Sequence, residues 1–115
     1  MSDRQLPRSR FIVLDLSIEI VRLLRQPVAR VRSHDPGLAS QIRRAATSTA
    51  LNISEANRRS GADRRQRFRI AAGSADETRT GLELALAWGY LREGEIEKPS
   101  AVIDRVLGML YSLTR

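Results

Sequence analysis

The sequence predicts an all-α fold, a four-helix bundle of up-down-up-down topology formed as a single domain by residues 1–115. Three observations predict it. Apolar residues recur at helical spacing along four stretches, and none alternates as a half-buried strand would. Aromatic residues make up only 4% of the chain, so Leu, Ile, Val and Ala must build the core, and these suit close helix packing better than a sandwich or barrel. The connections are short, which makes consecutive helices antiparallel neighbours. A length of 115 residues supports one core but not two.

The first helix is expected over residues 9–26, ending near Pro27, which cannot continue a helix without losing a backbone hydrogen bond. The stretch PVARVRSHDPG then reads as a loop, with Asp35-Pro36-Gly37 its strongest turn signal. A second helix covers 38–58. The run RRSGAD breaks it at Gly61, with Ser60 or Asp63 available to cap the next helix. The third helix spans 62–91. A last loop, REGEIEKP, leads to a fourth helix from residue 100 onward, with Pro99 close to its first turn.

On the second helix Leu38, Ile42, Ala45, Thr49, Asn52, Ile53 and Ala56 share one stripe at ~100° per residue. Phe68, Ala71, Ala72, Ala75, Leu82 and Leu86 do so on the third. Small residues dominate both stripes, so these two helices should pack as a tight pair. The first helix is apolar around more than half its circumference. A helix in a monomeric bundle needs only one such stripe, so the surplus, represented by Ile12, Leu16, Ile20 and Leu23, is expected to meet another copy of the chain. Deep burial within its own bundle is the competing explanation.

Asn52 and Arg79 fall within apolar stripes, where unpartnered burial would cost several kcal/mol. Glu55 and Glu77 lie on the neighbouring helices and could supply acceptors, which suggests a structural polar network of Asn52, Glu55, Glu77 and Arg79. A catalytic carboxylate pair is the alternative. No adjacent His, glycine-rich phosphate loop or metal-ligand spacing supports that alternative, so no enzyme activity, metal or cofactor is expected. His34, the sole histidine, sits in the expected loop and reads as solvated. With no cysteine in the chain, disulfides, thiolate metal sites and thiol nucleophiles are excluded. No apolar run follows the opening charges as in a signal peptide, and none approaches the ~20 residues of a membrane span, so a cytoplasmic, non-membrane protein is expected.

The net charge of +7 is unevenly spread. Residues 1–70 hold 15 Arg against 6 acids, and residues 71–115 hold 5 basic residues against 7 acids. The densest cluster is Arg58, Arg59, Arg64, Arg65, Arg67 and Arg69, six guanidinium groups in twelve residues with only Asp63 among them. Arg43 and Arg44 extend it along the second helix. Guanidinium forks match phosphate oxygens, and such asymmetry is the footprint expected of a nucleic-acid partner, RNA or DNA. A GC-rich genome and a solvated surface would also explain the arginines. Phe68 lies on the apolar stripe, so base stacking is not expected near the cluster, and recognition of backbone and shape is favoured.

The order QIRRAA, NISEA, RF-x-IA-x-GS-x-x-E and GYL across residues 41–91 resembles a known family, the small four-helix bundle proteins encoded within intervening sequences of bacterial 23S rRNA genes. Its matching residues include Gln41, Ile42, Arg43, Arg44, Asn52, Ile53, Glu55, Arg67, Phe68, Gly73, Ser74, Glu77, Gly89, Tyr90 and Leu91. The resemblance implies a homo-oligomer, most often a ring of five, and no enzymatic activity. It also implies likeness in fold to the accessory proteins of diversity-generating retroelements, basic rings that bind a reverse transcriptase and nucleic acid. This chain departs from the pattern in having Ala56 and Arg58 where glycine is usual, and Thr78, Arg79 and Gly81 where Leu, Glu and Gln are commoner. The expected function is a basic oligomeric scaffold binding nucleic acid, RNA before DNA, at the arginine corner. The alternative is an adaptor whose basic face docks an acidic partner such as a reverse transcriptase.

Overall fold

In the computed structural model, which describes residues 8–115, four antiparallel helices follow one another: α1 (Arg8–His34), α2 (Pro36–Asn57), α3 (Gly61–Ala87) and α4 (Glu93–Leu113). Asp3 and Arg4, counted in the charge asymmetry above, lie outside the described residues. The helices pack in chain order around a shared core, α1 against α2 and α4, and α3 against α2 and α4. The bundle measures 46 × 22 × 21 Å.

Two prolines lie inside helices where helix ends were expected. α1 runs through Pro27 to His34, so the expected eleven-residue loop shrinks to Asp35. An interior proline costs roughly 3 kcal/mol. Burying Val28 and Val31 against the core, together with Pro27 itself, offsets this at about 1.5–3 kcal/mol for each fully buried side chain. Asp35 then caps α2 by accepting the Leu38 N–H at 3.0 Å, and Pro36 takes the first helical position. α4 likewise starts seven residues before the expected position, with Pro99 buried inside it. Its start is stabilised by Glu95, whose carboxylate accepts the Arg92 backbone N–H at 2.9 Å and lies 3.5 Å from the Arg30 guanidinium on α1. Acidic side chains in a first helical turn also complement the helix dipole.

The core is aliphatic apart from Phe68. α2 and α3 approach closely, as their small residues predict. A Cβ added at Gly81 would stand 2.6 Å from Cγ1 of Ile42, leaving no space for a methyl group. Ala45, Ala56, Ala71 and Ala75 are all buried in the same region.

One member of the α1 face assigned to another copy of the chain, Ile20, needs correction. Ile20 is 1% exposed and belongs to this bundle's own core, Leu16 packs against that core, and Ile12 and Leu23 are half-buried. The inward face is Arg10, Val13, Ser17, Ile20, Leu24, Pro27, Val28 and Val31. Two polar members disguised it in the sequence. Ser17 satisfies its hydroxyl by donating to the Leu14 carbonyl at 2.7 Å, and Arg10 spends its donors on α2. The large apolar side chains left exposed on α1 are Ile18 and Val21.

Candidate nucleic-acid interface

The alternating topology gathers the start of α1, the α2–α3 turn and the end of α4 at one end of the bundle. Arg10 fastens the first two. Its Nε donates to Asn57 Oδ1 at 3.0 Å and its Nη2 to the Asn57 carbonyl at 2.9 Å, while Asn57 Nδ2 returns a bond to the Arg10 carbonyl at 3.2 Å. Burial, and then the nearby charge of Arg64, hold this guanidinium below the usual arginine range. Arg10 is therefore part of the framework. The α2–α3 turn closes through Gly61, whose φ of +59° lies in the left-handed region that favours glycine. At the other side of this end, Arg69 Nη2 reaches the Thr114 carbonyl at 3.4 Å, and the Arg115 guanidinium sits 5.5 Å from the Tyr111 ring centre.

The structure therefore brings Arg58, Arg64, Arg65, Arg67 and Arg69 together, and adds Arg8 and Arg115, which the linear cluster did not include. The nearest acids along the chain are already committed. Arg59 donates to Asp63 at 2.8 Å and to Glu55 at 3.4 Å, and those contacts, Asp63 first, raise its pKa. Arg59 thus spends its charge locally and keeps the two carboxylates away from its neighbours. Among the described residues no ion pair involves Arg58, Arg64, Arg65, Arg67 or Arg69.

Arg43 and Arg44 stand apart from this corner. Fifteen residues of helix separate Arg43 from Arg58, about 22 Å of rise. Arg43 instead joins Arg25 and Arg32 around a groove of about 430 Å³ between α1 and α2, floored by Leu24, Val28 and Ala46. Arg44 lies on the α2–α3 side with Ser48, Ser74 and Glu77.

The expected network of Asn52, Glu55, Glu77 and Arg79 does not form. Asn52 bonds back to the Ser48 carbonyl and hydroxyl, and Glu55 is taken by Arg59. Glu77 is exposed. Arg79 turns away from α2 and bridges Asp76 at 2.6 Å and Asp104 on α4 at 2.7 Å. The cause is rotational: Arg79 lies on the α4 side of α3, where Asp104 offers a partner without burial. Across α2 and α3 the polar link is a hydrogen bond between the Ser48 and Ser74 hydroxyls at 2.8 Å. Among the described residues no buried side-chain polar atom lacks a partner, and no cluster of three or more potential ligands could hold a metal. None of the described helices is long and apolar enough to cross a membrane.

A family model described as "23S rRNA-intervening sequence protein" matches residues 11–112. The chain belongs to that family. No curated protein matches it. Among solved structures, the crystal structure of a protein of unknown function from the S23 ribosomal protein family of Bacteroides thetaiotaomicron VPI-5482 is 23% identical. The alignment covers 92% of this chain and 97% of that one, with a TM-score of 0.83, which shows a shared fold. Within the frame of a 23S rRNA-intervening sequence protein, the motif residues Gln41, Arg44, Ser74 and Glu77 line one shallow surface between α2 and α3, together with Ser48.

The opposite end of the bundle holds a feature that the sequence did not disclose. His34 stacks on Tyr90, with ring centres 5.2 Å apart and planes 9° from parallel, and Trp88 stacks on Tyr90 at 6.3 Å and 15°. The three rings come from two segments more than fifty residues apart, so only the antiparallel return of α3 could have revealed them. Burial, followed by the charge of Asp35, raises the Tyr90 phenol pKa above its ordinary value.

Proposed function

We propose that this protein is a non-enzymatic, homo-oligomeric scaffold that binds nucleic acid, most simply RNA, through the arginine end of the bundle. The observation that carries the reading is the convergence of Arg58, Arg64, Arg65, Arg67 and Arg69 from two helices onto one end, while the local acids are absorbed by Arg59. Such a surface reads phosphate backbone and shape, not base edges. A family named for intervening sequences of 23S rRNA fits an RNA partner. The exposed apolar side chains Leu51, Leu84, Ile70, Ile18 and Val21 support self-assembly, and the ring of five implied by the resemblance would repeat the arginine end around an axis and multiply weak contacts.

The test is a salt titration of affinity for a structured RNA, followed by fluorescence anisotropy. Five phosphate contacts give a log–log slope near −4.5 on a duplex, so raising salt from about 50 to 200 mM weakens binding by roughly 10²–10³-fold. A flat response sinks the reading. Light scattering after size exclusion tests the assembly, and a monomer at micromolar concentration would remove that part.

The α1–α2 groove supports a second reading, an adaptor for an acidic partner protein. Its apolar floor offers nothing to a phosphate backbone, whereas an amphipathic acidic helix would satisfy both the floor and Arg25, Arg32 and Arg43. Reversing those three charges would abolish capture of such a partner while leaving RNA binding at the corner intact.

A further inference from the structure

In the ring cluster at the end opposite the arginines, Tyr90 packs partly against the core, but Trp88 does not. Trp88 is the only tryptophan in the chain and is 69% exposed, so its large apolar surface contributes little to the core. Nevertheless it is held in place. Gly89, at φ +80°, turns the chain back after α3. The Gly89 N–H donates to the Leu86 carbonyl at 3.0 Å, and the N–H groups of Tyr90 and Leu91 donate to the Ala85 carbonyl at 2.9 and 3.3 Å. Leu91 is buried beneath the turn. The turn therefore presents Trp88 and Tyr90 from a fixed backbone, with His34 against Tyr90 from the end of α1.

We propose that Trp88, Tyr90 and His34 form a stacking platform for an unpaired nucleobase, a second contact that rests on the nucleic-acid reading of the arginine end. The geometry selects the ligand. The rings stack on one another within 9° and 15° of parallel, and Trp88, 69% exposed, offers a flat π face to a flat partner. They do not close around a compact cation as the angled walls of an aromatic cage do. A preordered platform also avoids most of the ordering cost of binding. The charges nearby suit a nucleotide: Arg32 and Arg92 are exposed at this end and make no ion pair among the described residues. Glu95 is engaged by Arg30 and the Arg92 N–H, while Asp35 lies beside Tyr90 and Glu93 is exposed. Each base has a π face, so the platform tolerates any sequence but requires the base to be unpaired.

Trp88, as the sole tryptophan, reports on its own occupancy. The experiment titrates the full chain with an oligoadenylate of about 12 nucleotides, a length within the range single-strand sites cover, and separately with a blunt RNA duplex of similar length. Trp88 emission and the anisotropy of a labelled strand are read together. The expected result is saturable quenching by the oligoadenylate, none by the duplex, and an about tenfold loss of oligoadenylate affinity in Trp88→Ala with duplex affinity unchanged. Trp88→Phe should retain part of the effect. The inference is overturned if the oligoadenylate binds with Trp88 emission unchanged, or if emission follows protein concentration instead of RNA, which would make the rings a contact between subunits. Duplex anisotropy reads the arginine end by itself, so the platform can fail while that reading stands. If neither RNA binds, both fall.

Discussion

The two ends of the bundle solve the problem of closing a helical stack with opposite chemistry. At the arginine end, one guanidinium is turned inward to staple α1 to α2, one neutralises the local acids, and Arg58, Arg64, Arg65, Arg67 and Arg69, exposed or half-buried, are left without an ion pair among the described residues. At the ring end, Glu95 meets Arg30 and the Arg92 N–H, and the surface is made of three near-parallel rings on a tight glycine turn. The difference teaches what each end can recognise. An array of unpaired guanidinium groups acts over a Debye length, about 8–10 Å at physiological salt, and fades as salt rises. Stacked rings act only on contact and are indifferent to salt.

The largest effect expected is on that long-range attraction. Reversing Arg58, Arg65 and Arg69 to Glu together should lower affinity for duplex RNA by at least about 100-fold near 0.1 M salt, with Trp88 emission unchanged, as measured by anisotropy and fluorescence. A variant that binds within a few-fold of the parent would erase the distinction between the ends.

Next in size is Arg10→Ala, which leaves the Asn57 side chain and carbonyl without their partner and should destabilise the bundle by about 1.5–3 kcal/mol, the range for hydrogen bonds to a charged group. Urea unfolding checks it. An undiminished midpoint would mean that Arg10 belongs with the exposed arginines after all.

A matched pair of glycines sharpens the comparison further. Gly61 and Gly89 both have positive φ and open space where a Cβ would go, so each Gly→Ala change should cost about 1–2 kcal/mol of backbone strain alone. Gly61→Ala should then disturb duplex affinity, and Gly89→Ala should disturb Trp88 emission. Effects that cross over between the ends would show that the two are coupled through the bundle. The smallest effect is expected from Arg58→Ala, which should lower the salt slope by roughly one phosphate contact. Arg59→Ala should cost more than that, because it also releases Glu55 and Asp63 to compete with phosphate for the neighbouring arginines.

Much of this architecture was legible in the residues. Helical period, small residues on α2 and α3, and the Asp35-Pro36-Gly37 turn all pointed to the bundle and its tight central pair. The helix ends misled because proline was weighed locally, whereas Val28 and Val31 pack against the core strongly enough to carry α1 past Pro27. The wheel of α1 misled because Arg10 and Ser17 are polar yet face inward, each satisfied by a backbone carbonyl that no periodicity argument can see. Arg79 found Asp104 on α4 because rotation about the helix axis, not position along it, chooses a partner. The arginine corner was readable because its members are close in sequence. The ring cluster was not, since His34 and Tyr90 meet only after the chain has run the length of the bundle twice.

Four alternating helices return the chain to where it set out, so Arg8 and Arg115 emerge beside the same turn. Anything attached behind Arg115, whether an affinity tag, a dye or a neighbouring protein, begins its path on the arginine end and would shade it in a binding assay. The far end is the place for a handle. The chain lacks cysteine, and Gly94, in the first turn of α4, has open space around it. A thiol placed there by Gly94→Cys would be unique and would anchor the protein to a surface with its guanidinium groups pointing outward.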